Sequence, residues 1–263
     1  MLNEGGTMTI ARCNISNNSA IGVNRPDLSF SFGGTGGGIL NRSGGSLVIT
    51  QSTISDNSCS FGFFLGGSLG GGGVRNLGSM TIRNCTISGN SMRVFAVFPD
   101  TTIDGGGILN EGNLQITSST IAYNSALDES GENAAFGGGI YGPGATTTDS
   151  SIIALNSAPT GPDFTGAGGL QSMGYNIIGN NADAVISSQP TDQIGTPAAP
   201  IDPLVDPLAN NGGTTLTHGL AVCRGAWPTG AKACSCVPRS ASNGGWARAF
   251  RWDHHSCGSG GAS

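Results

Sequence analysis

The chain has 263 residues, of which 46 are glycine and only 10% are charged, and its formal net charge is −5 at pH 7. Residues 1–220 contain no lysine, which argues against a nucleic-acid surface, because such surfaces neutralise phosphates with Lys and Arg. No run of about 18 apolar residues predicts a transmembrane segment, and the scarcity of helix formers predicts almost no α-helix.

An internal repeat dominates the chain from its first residues. Each full copy opens on three glycines and a β-branched residue, continues through a short alternating run, and closes on Ile-x-x-Asn-Ser. The glycine motifs occupy 36–41, 71–76, 105–110 and 137–142, and the closing motifs occupy 15–19, 54–58, 87–91, 121–125 and 153–157. Successive closing motifs begin 39, 33, 34 and 32 residues apart, a spacing typical of a solenoid that carries inserts of variable length.

Three short strands fit within each copy, because each apolar run alternates with polar residues and so buries one face. Strands from successive copies would stack in parallel register, about 4.8 Å apart. The sequence therefore predicts an all-β parallel β-helix with three strands per coil and about five to six coils. Residues 1–180 would form the coils and residues 181–220 an irregular closing segment.

Two columns of equivalent residues are predicted to run along the solenoid. The first is an inward ladder of isoleucines: Ile15, Ile54, Ile87, Ile121 and Ile153. The second is a column of asparagines at a corner: Asn18, Asn57, Asn90, Asn124 and Asn156. Asparagine tolerates left-handed backbone, and stacked amides can hydrogen-bond from coil to coil. Two residues before each isoleucine lies a serine or cysteine, with Cys13 and Cys85 expected to be small buried side chains.

Five carboxylates lie in the inserts: Asp100, Asp104, Asp128, Glu129 and Glu132. Inserts at the same corner of adjacent coils are neighbours, so these acids are a candidate site for a cation or a glycan. A solvated loop edge is the alternative that the pattern favours. No metal-ligand spacing is present among them, and no cofactor is predicted.

Phenylalanine is concentrated in the same inserts. Nine of the ten are placed there: Phe30, Phe32, Phe61, Phe63, Phe64, Phe95, Phe98, Phe136 and Phe164. The favoured interpretation is a satellite apolar cluster beside the main core. The alternative is an exposed edge that binds a partner, formed by Phe61, Phe63, Phe64, Phe95 and Phe98.

The later part of the chain carries a family resemblance. Its motifs are Gly174-Tyr-Asn-Ile-Ile-Gly179, Asp192-Gln-Ile-Gly195, Ile201-Asp-Pro-Leu204 and the run from Pro207 to His218. They resemble the C-terminal part of choice-of-anchor Q domain proteins, and the glycine repeats resemble those of polymorphic outer-membrane proteins. The resemblance covers residues 1–220 and implies a right-handed β-helix on an exported bacterial surface protein. Residues 221–263 depart from it and are predicted to be an irregular tail, for which a frameshifted or otherwise non-native origin is one interpretation.

The predicted function is a non-enzymatic scaffold, extracellular or on a bacterial cell surface, that displays loops for adhesion to an extracellular glycan or protein. A polysaccharide lyase or hydrolase that uses the insert acids is the alternative, and a purely structural stalk is a third. Glycan cleavage needs clustered carboxylates, and acids do not recur at equivalent positions of adjacent repeats. His218 is predicted to be structural. Because the chain begins within a repeat and shows no export signal, we expect an uncapped end and end-to-end self-association.

Overall fold

A computed structural model describes residues 1–22, 35–61, 67–95, 101–131 and 134–220. These residues form strands, turns and bends, and none of them belongs to a helix long and apolar enough to cross a membrane. The described chain winds through six coils and the beginning of a seventh, which are built from short strands.

The strands follow the coils in chain order. The first coil contains β1 (Leu2–Asn3), β2 (Thr7–Ala11), β3 (Asn14–Ser16) and β4 (Ser19–Gly22). The second contains β5 (Ile39–Asn41), β6 (Ser46–Thr50), β7 (Thr53–Ser55), β8 (Ser58–Phe61) and β9 (Gly67–Gly70). The third contains β10 (Val74–Asn76), β11 (Ser79–Arg83), β12 (Thr86–Ser88), β13 (Ser91–Val94) and β14 (Thr101–Asp104). The fourth contains β15 (Ile108–Asn110), β16 (Asn113–Thr117), β17 (Thr120–Ala122), β18 (Ser125–Asp128) and β19 (Ala134–Phe136).

The later coils are shorter. The fifth contains β20 (Ile140–Tyr141), β21 (Ala145–Asp149) and β22 (Ile152–Ala154), and the sixth β23 (Phe164–Thr165), β24 (Leu170–Ser172) and β25 (Ile177–Ile178). The seventh begins with β26 (Ile186–Ser187) and β27 (Gln193–Ile194). Parallel pairing therefore continues past residue 180, where we expected an irregular segment. A hairpin of β28 (Val205–Ala209) and β29 (Thr217–Leu220) follows.

Equivalent strands of successive coils pair in parallel and form three long sheets. The first sheet has the order β1-β5-β10-β15-β20-β23, the second β2-β6-β11-β16-β21-β24-β26, and the third β3-β7-β12-β17-β22-β25-β27. The isoleucine ladder runs through the third sheet in the predicted register and is buried throughout. The predicted parallel β-helix is thus confirmed.

Two further sheets arise from segments that the sequence analysis treated as loops. One has the order β4-β8-β13-β18 and the other β9-β14-β19, and both are parallel. Together they form a side lobe that projects between the third sheet and the first. The lobe has its own small core of Cys59, Met92, Val94, Ile103, Ala126 and Ala135. Three strands per coil therefore describes the solenoid body, whereas coils two to four each carry five.

The asparagine column is a continuous chain of hydrogen bonds. The side-chain Nδ2 of each asparagine donates to Oδ1 of the next, as from Asn57 to Asn90 at 2.9 Å and from Asn90 to Asn124 at 2.9 Å. The backbone N–H of each asparagine donates to the same oxygen. Nδ2 of Asn90 also donates to Ile54 O in the preceding coil. The predicted coil-to-coil amide bonding is confirmed, and it satisfies polar groups that burial would otherwise leave unpaired.

The predicted reason for asparagine at this corner was only partly right. The left-handed backbone belongs to the residue before each column asparagine, at Asn17, Asp56, Gly89, Tyr123 and Leu155 (φ 55 to 68°). Those five residues have unrelated side chains, so the corner tolerates many residue types there. Asparagine is needed at the next position because its buried carboxamide both donates and accepts.

The three glycines of each motif have separate structural reasons. The first, such as Gly71, has φ of 76°, a conformation that suits glycine. A Cβ on the second, Gly72, would lie 2.4 Å from Ser91 C, and a Cβ on the third, Gly73, would lie 2.8 Å from Cγ of Asn90. The glycine motif and the Asn-Ser motif therefore face each other where the side lobe joins the solenoid body, a place we call the neck. Only glycine leaves enough space there.

A second asparagine chain was not anticipated. Nδ2 donates to the next Oδ1 from Asn3 to Asn41, from Asn41 to Asn76 and from Asn76 to Asn110, each at 2.8 Å. The chain ends when Asn110 donates to Oγ1 of Thr146 at 3.1 Å. The sequence contained the signal, because Asn3, Asn41, Asn76 and Asn110 occupy the same position in their repeats.

A third column runs through the serine and cysteine positions. Backbone N–H groups donate to the next side-chain oxygen from Cys85 to Ser119 and from Ser119 to Ser151, each at 3.1 Å. Cys85 is buried as expected, whereas the expectation for Cys13 was wrong, since its thiol is exposed. Cys13 lies in the first coil, where no described coil covers that side.

Aspartates terminate two of these columns. Asp163 takes the place of the third motif glycine in the sixth coil, where Ile140 N donates to Asp163 O. Its Oδ1 accepts from both N and Nδ2 of Asn156, and Oδ2 accepts from Asn180 N. Asp192 Oδ1 likewise accepts from Asn176 N at 3.0 Å. A carboxylate has only acceptors, so it receives the last donor and needs no partner beyond it.

Replacement of Asn90 by alanine tests the first column. The change leaves both Asn57 donors without their acceptor in a buried site and removes one of the two donors to Asn124 Oδ1. We therefore expect a loss of about 2–5 kcal/mol in the free energy of unfolding. Urea denaturation measures it. Asn113→Ala, which removes an exposed side chain on the second sheet, is the control. Equal losses in the two variants would contradict the structural role of the column.

The two terminal aspartates are expected to respond oppositely to pH. Burial raises the pKa of Asp163 above its ordinary value of 3.8, despite its hydrogen bonds with Asn156 and Asn180. Burial also acts to raise the pKa of Asp192, but hydrogen bonds from Gln189, Asn176 and Ser172 outweigh it and lower the pKa below 3.8.

The stability of the native chain relative to Asp163→Asn should therefore be greatest below pH 3.8 and decline as the pH rises through the raised pKa. Relative to Asp192→Asn, it should be greatest above pH 3.8 and decline as the pH falls through the lowered pKa. Urea denaturation between about pH 3 and pH 7 checks both trends. Parallel pH profiles for the two variants would refute the assignment.

Candidate functional site

The tip of the side lobe is where the chain varies most between coils. Segments 62–66, 95–100 and 129–133 join the strands of one lobe sheet to the strands of the other, and residues 23–34 follow β4 of the first coil. We call this set of segments the lobe tip.

The lobe stands on a core of small and medium side chains. Cys59, Met92 and Ala126 are adjacent in successive strands and fully buried. Burial raises the pKa of the Cys59 thiol to about 12, against the opposing positive charge of Arg75. This thiol is therefore protonated at neutral pH and serves as an apolar packing group rather than a nucleophile.

The candidate acids do not form one cluster among the residues that the structure describes. Asp104 ends β14 beside the neck and is buried, whereas Asp128 ends β18 and Glu129 follows it at the lobe tip. Strands β14 and β18 run in opposite senses relative to the neck, so these acids lie at opposite ends of the lobe. Asp100 and Glu132 lie outside the described residues. We considered that all five acids could lie together. The three that the structure describes do not.

Each described insert acid has a local role. Oδ2 of Asp104 accepts from Thr102 Oγ1 at 2.8 Å. Asp128 accepts from the N–H and the hydroxyl of Ser130, which orders the turn after β18. Glu129 pairs with Arg93 in the preceding coil at 3.1 Å. This pair is close to half exposed, so it contributes little to stability.

Two aromatic rings lie close to Asp104, where the lobe meets the first sheet. Phe136 stacks against Tyr141 with ring centroids 5.7 Å apart. Burial, and secondarily the charge of Asp104, raise the pKa of Tyr141. Leu109 is fully buried on the same face. Nearby, Arg75 forms a two-pronged ion pair with Glu111 at 2.7 and 3.1 Å. The aromatic rings thus pack on each other, and Arg75 and Glu111 are paired with each other.

Glu4 and Arg42 form an ion pair at 3.9 Å with both side chains exposed, a geometry that stabilises little. Within the described ranges, no three His, Cys, Asp or Glu side chains lie close enough together to hold a metal ion.

The described phenylalanines do not all fit one of the two interpretations, a satellite apolar cluster or an exposed edge. Phe95 is exposed at the lobe tip and Phe136 is half-buried, whereas the lobe core contains no phenylalanine among its described members. Phe164 was wrongly placed in an insert, because it lies in β23 and is buried in the main core beside Ile140. The side chain of Phe61, and the whole of Phe30, Phe32, Phe63, Phe64 and Phe98, lie outside the described residues.

The segment after β27 forms a strap along the third sheet. In the second coil, the Thr53 hydroxyl donates a hydrogen bond to Leu216 O of the strap. Gln51 O of the same coil accepts a hydrogen bond from the Thr215 hydroxyl. Tyr123 of the fourth coil donates its hydroxyl to Val205 O at 3.3 Å. The strap thus spans several coils and covers their outer face, whereas Asn14 and Ser16 of the first coil remain exposed beyond it.

His218 holds the strap against the third sheet. No sequence pattern indicated the residue that it bonds there. Its Nδ1 donates to Asp206 O at 2.7 Å, so in the neutral ring Nε2 accepts from the Ser88 hydroxyl at 2.9 Å. The ring also packs on Tyr123, with centroids 5.3 Å apart. A serine bonded to a histidine can form a catalytic pair, but Ser88 is buried, and lifting the strap would remove the histidine. The arrangement is therefore a latch, as predicted for a structural histidine.

The described surface also contains two shallow pockets. One lies between the strap and the end of the first asparagine column, and the other lies on the first sheet near the N-terminus. The first is lined by Leu155, Asn156, Pro162, Asp163, Gly179, Asn180, Pro200, Ile201 and Asp202, and the second by Glu4, Thr35, Leu40, Arg42, Ser43, Arg75 and Leu77. Asp163 in the first pocket already accepts three hydrogen bonds, so it is a column terminus.

Comparison of the chain with protein-family models, with curated proteins and with solved structures found no match in any of the three. The function must therefore be argued from the geometry of the lobe, the strap and the open faces.

The latch can be tested with a double-mutant cycle of Ser88→Ala and His218→Phe, which keeps an aromatic ring against Tyr123. We expect each change to lower the free energy of unfolding by about 1 kcal/mol and the pair to couple by roughly 0.5–1.5 kcal/mol. Ser16→Ala, at the equivalent exposed position of the first coil, is the control and should have no measurable effect. Strictly additive losses for Ser88 and His218 would show that the strap is held in another way.

Proposed function

We propose that this protein is a non-enzymatic surface scaffold that presents the lobe tip to an extracellular glycan or protein, in the manner of an adhesin. The observation that carries the proposal is the division of the molecule into a repetitive body and one variable edge. Every long insert of coils two to four emerges from the same two parallel lobe sheets.

Many polar side chains of the solenoid body form hydrogen bonds or ion pairs with one another. Its buried asparagines bond one another, Asp163 and Asp192 terminate columns, and Arg75 and Glu111 pair between coils. Binding residues are disproportionately found on loops that a rigid scaffold positions, and here the lobe tip is the variable part. This distribution supports display rather than catalysis by the body.

The composition of the lobe tip also favours contact with a partner. Phe95 is exposed at its base, and the joining segments contain Phe63, Phe64 and Phe98. Aromatic residues are enriched at the centres of protein interfaces. Placement outside the cell, on a bacterial surface, is part of the proposal and rests on the resemblance to choice-of-anchor Q and polymorphic outer-membrane proteins.

The proposal is tested by incubating the full chain with panels of acidic polysaccharides, neutral polysaccharides and immobilised extracellular-matrix proteins. Bound fraction and newly formed sugar chain ends are both recorded. We expect binding to at least one ligand without new chain ends, and at least about a tenfold weaker affinity when Phe63, Phe64 and Phe95 are all changed to Ser, because hot-spot aromatics carry much of the binding energy.

Gln115→Ala and Gln171→Ala, both on the exposed face of the second sheet, form the matched control and should bind as the native chain does. New chain ends that disappear in Asp100→Asn or Asp128→Asn would replace the proposal with a polysaccharide-cleaving enzyme. No binding to either panel would contradict adhesion and leave the structural stalk.

A further inference from the structure

The strap contains two aspartyl-prolyl peptide bonds, Asp202–Pro203 and Asp206–Pro207. In such a bond the aspartate carboxylate can attack its own backbone carbonyl carbon, because a small, unstrained anhydride ring forms. The competing attack of the next backbone nitrogen on the side chain is blocked, since proline has no N–H. The proline nitrogen belongs to a tertiary amide and takes up a proton readily when the bond breaks. Aspartyl-prolyl bonds are therefore prone to intramolecular cleavage, at a rate that their surroundings decide.

His218 donates a hydrogen bond to the carbonyl oxygen of one of these two bonds. Its Nδ1 lies 2.7 Å from Asp206 O, and Nδ1 carries the proton because a carbonyl oxygen can only accept. The donor draws electron density from the Asp206 carbonyl and stabilises negative charge on its oxygen when the carbon is attacked. Donors in an oxyanion hole lie about 2.7–3.1 Å from the oxygen that they stabilise, and this contact has the same geometry.

The histidine ring is held in place by the third sheet. Its Nε2 bonds the Ser88 hydroxyl at 2.9 Å, and the ring packs on Tyr123 with centroids 5.3 Å apart. Ser88 is buried, so the partner that orients the ring is itself fixed. A reactive constellation of this kind needs a third group that orients the donor, and the latch supplies it.

The Asp206–Pro207 bond lies in the irregular part of the strap hairpin. The antiparallel register shifts between Val205 and Leu208. Asp206 and Pro207 therefore face Gly219 as two residues against one, the arrangement of a β-bulge. A Cβ on Gly219 would lie 3.7 Å from Oδ2 of Asp206, so the carboxylate lies beside the strand that carries His218. Pro207 is exposed, and water therefore reaches the bond.

The Asp202–Pro203 bond has different surroundings. Oδ1 of Asp202 accepts from Leu204 N at 2.8 Å, which engages one carboxylate oxygen in a turn. Among the residues that the structure describes, none donates to Asp202 O. The strap thus contains one aspartyl-prolyl bond with a donor on its carbonyl and, shortly before it, a matched bond without one.

We propose that Asp206–Pro207 is a self-cleavage site, with the Asp206 carboxylate as the nucleophile and His218 as the donor to the carbonyl oxygen. A carboxylate oxygen bonds the Asp206 carbonyl carbon, and the carbon–nitrogen bond to Pro207 breaks. The Pro207 nitrogen leaves with a proton from water. Water then opens the cyclic anhydride, which restores the Asp206 side chain and forms a new α-carboxylate. The net reaction is hydrolysis of one peptide bond.

Cleavage at this bond divides the strap between its two strands. Asp206 stays joined to the coils, whereas β29 is then held only by non-covalent contacts such as the bond from His218 to Ser88. The reaction therefore makes the cover of the third sheet releasable. The inference does not depend on the proposed adhesive function.

The test follows the full chain, kept folded in mildly acidic buffer, by intact mass spectrometry over days. We expect fragments 1–206 and 207–263 to form at least about tenfold faster than fragments 1–202 and 203–263, because one oxyanion donor contributes a rate factor of about 10²–10³. In urea, where both bonds lose their surroundings, the two rates should converge.

Single substitutions assign the roles. Asp206→Ala removes the nucleophile and should abolish cleavage at this bond. His218→Phe removes the donor but keeps a ring against Tyr123, and it should slow cleavage at least about tenfold. Ser88→Ala removes the latch bond but leaves Nδ1 beside the carbonyl, because His218 and Asp206 lie on the same hairpin, so cleavage should persist. Circular dichroism checks that each variant keeps the native fold.

Several results would overturn the proposal. Equal cleavage of the two aspartyl-prolyl bonds in the folded chain would show that the surroundings of Asp206 do not activate its bond. Unchanged cleavage in folded His218→Phe would remove the histidine from the reaction, and a loss in Ser88→Ala as large as that in His218→Phe would assign the effect to strap attachment. Absence of fragments from the folded chain, while the urea-denatured chain is cleaved, would show that the fold protects the bond.

Discussion

The fold depends on the buried carboxamide chain at the neck of the side lobe. The lobe joins the solenoid body at this neck, and the backbones of the glycine motif and the Asn-Ser motif lie within van der Waals distance of each other there. Asn57, Asn90 and Asn124 lie in this neck and bond both their own column and the backbone of the preceding coil. A buried amide that lacks such partners is costly, so the columns hold successive coils in one register, and that register in turn fixes the lobe sheets.

The same constraint explains the glycines and the later coils. Side chains on the second and third motif glycines would enter the space of the Asn-Ser backbone and the column amides. The fifth coil has no lobe strands, and in the glycine motif that follows it Asp163 occupies the third position and fills the amide site with its own side chain. Lobe, glycine motif and column are therefore one structural unit, and they change together along the chain.

The molecule presents surfaces of unlike character around one axis. The strap covers the third sheet and is held by the His218 latch, the second sheet exposes residues such as Gln115, and the lobe projects its joining segments. The body is thus ordered by internal bonding, while variation is confined to the lobe tip. Such a division favours presentation of loops.

The sequence by itself determined the parallel solenoid, the isoleucine ladder and the first asparagine column, because each depends on residues that recur at a fixed spacing and must stack. It also contained the second column, in the recurrence of Asn3, Asn41, Asn76 and Asn110. Only the tertiary structure decided that the inserts pair into lobe sheets, because the lobe strands have only three or four residues, too few to establish an alternating pattern, and their pairing comes from the coils beside them. Only the structure separated Asp104 from Asp128 and joined Ser88 to His218, 130 residues apart, because such contacts arise from chain folding and leave no periodic trace.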